Sequence, residues 1–152
     1  METIIESQSV DTLTPIDKLL CLQNVDLFKC ATTEMLAYIG SIAAEVRIPG
    51  GATIFSERES SDAMYVVVSG RVRLIKNDKE VLLVDEMGAF GTWALFDSEP
   101  RLMTAIAIED VRLLKIGSES FYDLLADHGE ITPVIFRAVI ERVKSLIPDQ
   151  PI

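Results

Sequence analysis

The sequence carries one histidine, His128, and two cysteines, Cys21 and Cys30. A zinc- or iron-type centre needs clustered His, Cys and carboxylate ligands. A Ser/His/Asp or Cys/His triad would have to commit the one histidine, and nothing in the chain brings it near either cysteine. His128 stands beside Gly129 at a helix-ending position, where a capping or surface role fits better than metal ligation. Two cysteines in helix-like sequence read as free thiols in a reducing compartment rather than as a disulfide. There is no Gly-x-x-x-x-Gly-Lys phosphate loop, and no internal repeat or low-complexity stretch. Carboxylate pairs such as Glu57 and Glu59 fall in a solvated loop. These absences lead to the expectation of no catalysis and no metal.

Positive charge is also scarce. Fourteen Lys and Arg face 24 Asp and Glu, a formal net charge of −10. Nucleic-acid backbones repel such a surface, so this chain by itself is not expected to bind them. No apolar run nears the ~20 residues that cross a bilayer, and the start Met-Glu-Thr-Ile-Ile-Glu lacks the basic, apolar pattern of a signal peptide. The expectation is a cytoplasmic protein without membrane insertion. What the chain does have is apolar content, 49% over 152 residues, enough for one domain with a real core and extra apolar surface for a partner.

In chain order, residues 1–13 read as a loose polar tail and 14–152 as the domain. Thr14-Pro15 starts a helix running to about Gln23. Asn24-Val25-Asp26 breaks it, and Leu27-Phe28 anchors the break. Thr32 caps a second helix to about Ala44, which completes an N-terminal helical unit over 14–44. Strand-like segments follow over 45–116: Val46–Ile48, Ala52–Phe55, Ala63–Ser69, Arg71–Lys76, Glu80–Met87, Met103–Glu109 and Val111–Ile116, with Asn77-Asp78-Lys79 as a hairpin tip. C-terminal helices occupy 117–147. The first is capped by Ser118 and ends at Gly129; the second spans about Glu130–Ile147. The last helix is apolar on two sides: Ile135, Phe136, Val139, Val143 and Leu146 make one face at helical spacing, with Val134, Ala138 and Ile140 on another, so that it suits two partners, the barrel and a second helix, or one broad core-facing packing. A homodimer through helix 130–147, or a protein partner there, is the expectation. Short strands with Gly turns between helical ends indicate a mainly β jelly-roll or small barrel with flanking helices.

The stretch 90–108 is the focus of the chain. Gly91 allows a close backbone approach, Thr92–Phe96 suits one or two helical turns whose first N–H groups are free, and Arg101 offers a planar fork of donors for an anion. The same residues allow a plainer reading, in which Arg101 pairs with Asp97 or Glu99.

With this order in place the chain resembles the cyclic nucleotide-binding domain superfamily, the β-roll of catabolite-activator-type regulators, kinase regulatory subunits and gated channels. The resemblance runs from about Pro15 to Leu146. It is carried by Leu27-Phe28 with the Thr32 helix, by 49–55, by the hairpin 62–72, and by 97–101 with 109–116. The family's phosphate cassette reads Phe-Gly-Glu-x-Ala-Leu, then Pro-Arg-Ser/Thr-Ala. Here Phe90, Gly91, Ala94, Leu95, Pro100 and Arg101 match, while Thr92 replaces the Glu, Leu102 the Ser/Thr and Met103 the Ala.

The resemblance implies a double-stranded β-helix with C-terminal B and C helices and a ligand site at Phe90, Gly91, Thr92, Ala94, Leu95, Arg101 and Leu102. In the family the Glu accepts from the ribose 2′-hydroxyl and the Ser/Thr donates to the phosphate. Each such bond to a charged group is worth ~1.5–3 kcal/mol, so losing both weakens a cyclic nucleotide by roughly 10²–10⁴-fold. Leu102, Met103 and Trp93 are expected to add bulk to the pocket. Three functions follow: a regulatory module with weak, altered or absent cyclic-nucleotide binding, a working cAMP or cGMP sensor or one for another anion, and a ligand-independent dimerisation module. No cofactor is required in any of them. In the family's transcription regulators a helix-turn-helix follows the last helix; ending at Ile152, this chain is expected to act as a stand-alone module.

Overall fold

The computed structural model describes residues 12–147. Helix α1 (Pro15–Leu22) is closed at its start by a capping box. The Asp17 N–H donates to the Thr14 hydroxyl, and the Thr14 N–H donates to the Asp17 carboxylate. A single 3₁₀ turn, Asp26–Phe28, buries Leu27 and Phe28, and α2 (Thr33–Ile42) starts from the Thr32 side-chain cap. Eight strands follow: β1 (Ala44–Ile48), β2 (Thr53–Phe55), β3 (Ala63–Ser69), β4 (Val72–Lys76), β5 (Lys79–Val84), β6 (Ala89–Phe90), β7 (Thr104–Ala107) and β8 (Val111–Gly117). A second 3₁₀ turn, Thr92–Leu95, lies between β6 and β7, and helices α3 (Ser118–Asp127) and α4 (Ile131–Ser145) close the chain.

The strands form two antiparallel four-stranded sheets, ordered β1-β8-β3-β6 and β2-β7-β4-β5. This is the β-roll with flanking helices that the sequence led us to expect. Asn77 and Asp78 both adopt positive φ, 52° and 64°, which gives the β4–β5 hairpin the twist its strands need.

β3 is buried on both faces, which is why its sequence is a continuous apolar run rather than an alternation. Tyr65 and Val67 point into the roll with Val111 and Leu113, while Met64 and Val66 point outward with Leu114 and Ile116 under the helices. The core therefore has two halves on either side of one sheet.

Three local expectations differ. Ser118 is not a cap: Gly117 takes that position and no side chain caps α3. The strand expected over 80–87 ends at Val84, because Met87 turns back at φ 71°. The two expected faces of α4 are also each divided between core and solvent. Ile131, Val134, Ile135 and Ala138 are buried, whereas Phe136, Ile140, Val143 and Leu146 are exposed. Val134 and Ala138 reach the core because the N-terminal half of α4 packs from Ile131 onward at 3–4-residue spacing. Most of the expected tail, residues 1–11, lies outside the described residues; Leu13, at its end, is tied by its N–H to Glu45.

Glu45 also accepts from Arg112 at 2.9 and 3.1 Å and pairs with Arg47 at 3.1 Å. Burial by itself would raise this carboxyl, but the Leu13 N–H and the Arg112 and Arg47 guanidinium groups hold it below its usual range. A carboxyl with a depressed folded-state pKa contributes stability above its unfolded value, and that contribution fades as pH falls through the folded one. Glu45→Gln should therefore cost about 1–3 kcal/mol at pH 7 in urea unfolding. The gap to wild type should narrow below the ordinary carboxyl value of 4.5.

Candidate functional site

The roll is open at one end, and a cavity of about 620 Å³ lies there, lined by residues of β2, β3, β8, the 56–62 loop and Arg101. Its inner wall is aromatic. Strand alternation puts Ala63, Tyr65 and Val67 on one face of β3, and register sets Tyr65 opposite both Phe90 and Lys115. The Tyr65 and Phe90 rings stack at 5.3 Å, and Phe55 meets them at 6.0 and 5.9 Å.

Arg101 is laid over this wall. It is 6% exposed, the one charged side chain buried among the described residues. Its guanidinium carbon stands 3.9 Å from the Phe55 ring centroid and 6.0 Å from that of Tyr65, close enough for a cation–π attraction of about 2 kcal/mol in a desolvated setting. Nη2 donates to the Ala63 carbonyl at 2.7 Å and lies 3.7 Å from Asp62 Oδ1, a carboxylate 74% exposed. Nε is buried with no acceptor among the described residues. Burial pulls the pKa of the group down, and Tyr65, Asp62 and Glu59 oppose the shift. The outcome is an underpaired cation at the floor of an open cavity.

Neither partner suggested by the sequence holds Arg101. Asp97 instead accepts from the Glu99 N–H within its own loop. The Arg101 segment is fixed by backbone: its N–H donates to the Glu59 carbonyl at 2.8 Å, and its carbonyl accepts from the Arg58 N–H at 2.9 Å.

The expected site residues separate into two groups. Phe90, Gly91 and Arg101 come together. Gly91 adopts φ 72° at the head of the second 3₁₀ turn, and a Cβ there would lie 2.8 Å from Arg101 Nη1 and 3.3 Å from the Ala63 carbonyl oxygen. Thr92 is half-buried beside it. Ala94 and Leu95 are buried, and Leu95 belongs to the helix-side core. Leu102 is 58% exposed and Trp93 68%; neither lines the cavity, so neither adds the expected bulk, and Met103 packs into the roll core instead. The space is shaped by Phe55 and Tyr65. These two, with Arg58, Asp62 and Lys115, were not singled out from sequence. The period-2 alternation of β3 was the available signal for Tyr65; the others depend on the fold.

Residues 45–128 match the sequence profile of the cyclic nucleotide-binding domain. The chain belongs to that family. This cyclic nucleotide-binding domain is 27% identical over 128 residues to a CRP-like cAMP-activated global transcriptional regulator of Mycobacterium tuberculosis, covering 81% of this chain and 57% of that protein. It is 31% identical over 122 residues to a cAMP-dependent protein kinase regulatory subunit of Aspergillus niger, covering 79% and 29%. It thus spans little more than half of the first relative and under a third of the second. Among solved structures, the N-terminal domain of a transcriptional regulator from Streptomyces coelicolor A3(2) superposes with a TM-score of 0.78 at 28% identity, covering 86% of this chain and 99% of that one. Both named relatives are regulatory proteins by name.

His128, the lone histidine, is remote from the cavity lining; it stacks on Tyr38 with ring centroids 3.9 Å apart and faces Glu130 at 3.7 Å.

Gly91→Ala tests the geometry directly. The added methyl is strained at positive φ and displaces the guanidinium. A loss of about 1–3 kcal/mol in urea unfolding is expected, with a larger loss for Gly91→Val.

Proposed function

We propose that this chain is a non-catalytic regulatory domain, spanning 14–152, that seats the phosphate of a cyclic nucleotide weakly at Arg101. One observation carries the reading. The arginine that matches the family's cassette is buried at the cavity floor with its Nε unpaired, and Gly91, lacking a side chain, lets Nη1 pack against its turn. An anion arriving there would satisfy a donor whose isolation otherwise costs about 1–3 kcal/mol. Leu102 has no hydroxyl to add, and Thr92 is too short and neutral to replace a carboxylate at the ribose. The cyclic-nucleotide Kd is therefore expected between about 0.1 and 10 mM, a micromolar ligand weakened by those two losses. The domain works without a metal or other cofactor, and in the cytoplasm.

The route from ligand to output runs through Leu95. It sits in the second 3₁₀ turn and packs in one cluster with Phe121, Leu124, Ile131 and Ile135 of α3 and α4. A ligand that moves the Gly91–Phe96 turn would shift the two helices by way of that contact, a population change between two packed arrangements.

Calorimetric titration with cAMP and cGMP to 10 mM tests this. Wild type should reach at least half-saturation in that range, and Arg101→Lys should lose at least tenfold while keeping its circular dichroism spectrum. Absence of any binding heat would favour the second reading, a ligand-independent module that dimerises through α4. That reading draws on the exposed row Phe136, Ile140 and Val143, whose 4- and 3-residue steps make a seam for a second helix. In sedimentation, dimers of the wild type should be abolished by Val143→Glu, with nucleotide changing nothing.

A further inference from the structure

The cavity is lined by more cationic side chains than one phosphodiester needs, three against the two carboxylates Glu59 and Asp62. Arg58 and Lys115 line it together with Arg101. Asp62 accompanies Arg101, but no ion pair engages Arg58 or Lys115 among the described residues. Lys115 is half-buried on the inward face of β8, opposite Tyr65. The Tyr65 hydroxyl also has no hydrogen-bond partner among the described residues. Of the lining carboxylates, Glu59 already accepts from the Ser56 N–H.

Arg58 occupies this place at a conformational cost. It is the third residue of a turn closed by the Glu59 N–H donating to the Ser56 carbonyl, and its φ is 73°. Glycine is the residue that such a position favours, and a long β-carbon-bearing side chain there is disfavoured. The turn cannot relax by drifting away. The Arg58 N–H is bonded to the Arg101 carbonyl, and the Glu57 N–H to Thr104 Oγ1 at 3.0 Å. A strained cation is thus clamped at the rim, above a buried one, beside an unpaired lysine. Strain held in place by its surroundings is a mark of function when a chemical role for the side chain is at hand.

We infer that Arg58 and Lys115 form a second anion subsite at the rim, so that the cavity prefers a nucleotide carrying two separate anionic groups over a singly charged cyclic one. The inference rests on the reading of this cavity as the ligand site and specifies which ligand it takes. One phosphate sits at Arg101 and the other at Arg58 and Lys115, where charge-assisted bonds add roughly tenfold or more in affinity.

A matched pair of ligands tests it. Adenosine 3′,5′-cyclic monophosphate carries one negative charge, and adenosine 3′,5′-bisphosphate has the same skeleton with two separate phosphates. In calorimetry at low salt the bisphosphate should bind at least tenfold tighter. Arg58→Gly and Lys115→Gln should each remove most of that advantage while changing the cyclic monophosphate less than threefold. Arg58→Gly should do so with a thermal midpoint at or above wild type, since it relieves the turn, so the lost affinity cannot be assigned to a damaged fold. Equal or weaker binding of the bisphosphate, with the cyclic compound still binding, would overturn the second subsite alone. Binding of neither would overturn it together with the reading of the cavity.

Discussion

A guanidinium cannot leave water cheaply, and the open end of this roll is built around one that has. Arg101 sits in a nearly closed place where three different partners replace part of its lost water. They are a carbonyl in front, an aromatic face beneath, and a solvated carboxylate at the edge. Each partner fixes something else. The Ala63 carbonyl ties the arginine to the first residue of β3. Phe55 must lie flat at the end of β2, and it does so by meeting Tyr65 and Phe90. Gly91 must have no side chain, because Nη1 occupies the place of its Cβ. Four segments far apart in sequence converge because one cation requires it.

The same constraint links the cavity to the helices. Gly91 opens the second 3₁₀ turn, and that turn ends in Leu95, buried among Phe121, Leu124, Ile131 and Ile135. The turn therefore has a polar end against Arg101 and an apolar end against α3 and α4. Close-packed interiors do not deform continuously. A displacement of Gly91 by a ligand at the arginine has to be met by a repacking at Leu95. This is a short path, and it does not depend on where the ligand's remaining atoms lie.

What the sequence made legible follows from how local each signal is. The Thr14 cap, the Asn77-Asp78 tip and the continuous apolar run of β3 are decided within a few residues, and each is found where its chemistry puts it. Phe90, Gly91 and Arg101 could be named because they lie in one short stretch. The partner of Arg101 could not be read. The nearby Asp97 and Glu99 were the obvious candidates, yet their loop turns outward while two backbone bonds pull Arg101 toward residues 58 and 59. Lys115 was hidden for a similar reason. In sequence it is a charge in an alternating strand, and only pairing with Tyr65 shows that its side of β8 is the inside. Which residues of α4 face the core could not be read, because a helix apolar on two sides gives periodicity no unique phase; Ile135 is buried while Phe136 and Val143, grouped with it by spacing, are exposed.

Two local costs meet at one cavity, a buried cation with an unpaired Nε and an arginine held at positive φ. A sequence selected for stability alone would remove both, with an apolar residue at 101 and glycine at 58. Positive φ outside glycine also occurs at Asn77, Asp78 and Met87, and a second unpaired Nε at Arg73, but Arg58 and Arg101 line the same cavity, and their side chains are the cations that an anion there would meet. Under the proposal that the cavity takes an anion, one chemistry accounts for both breaches. Under the proposed function Leu102 and Thr92 remove two particular contacts of one ligand, and the cations at 58, 101 and 115, beside the carboxylates at 59 and 62, are the charges that a ligand would meet.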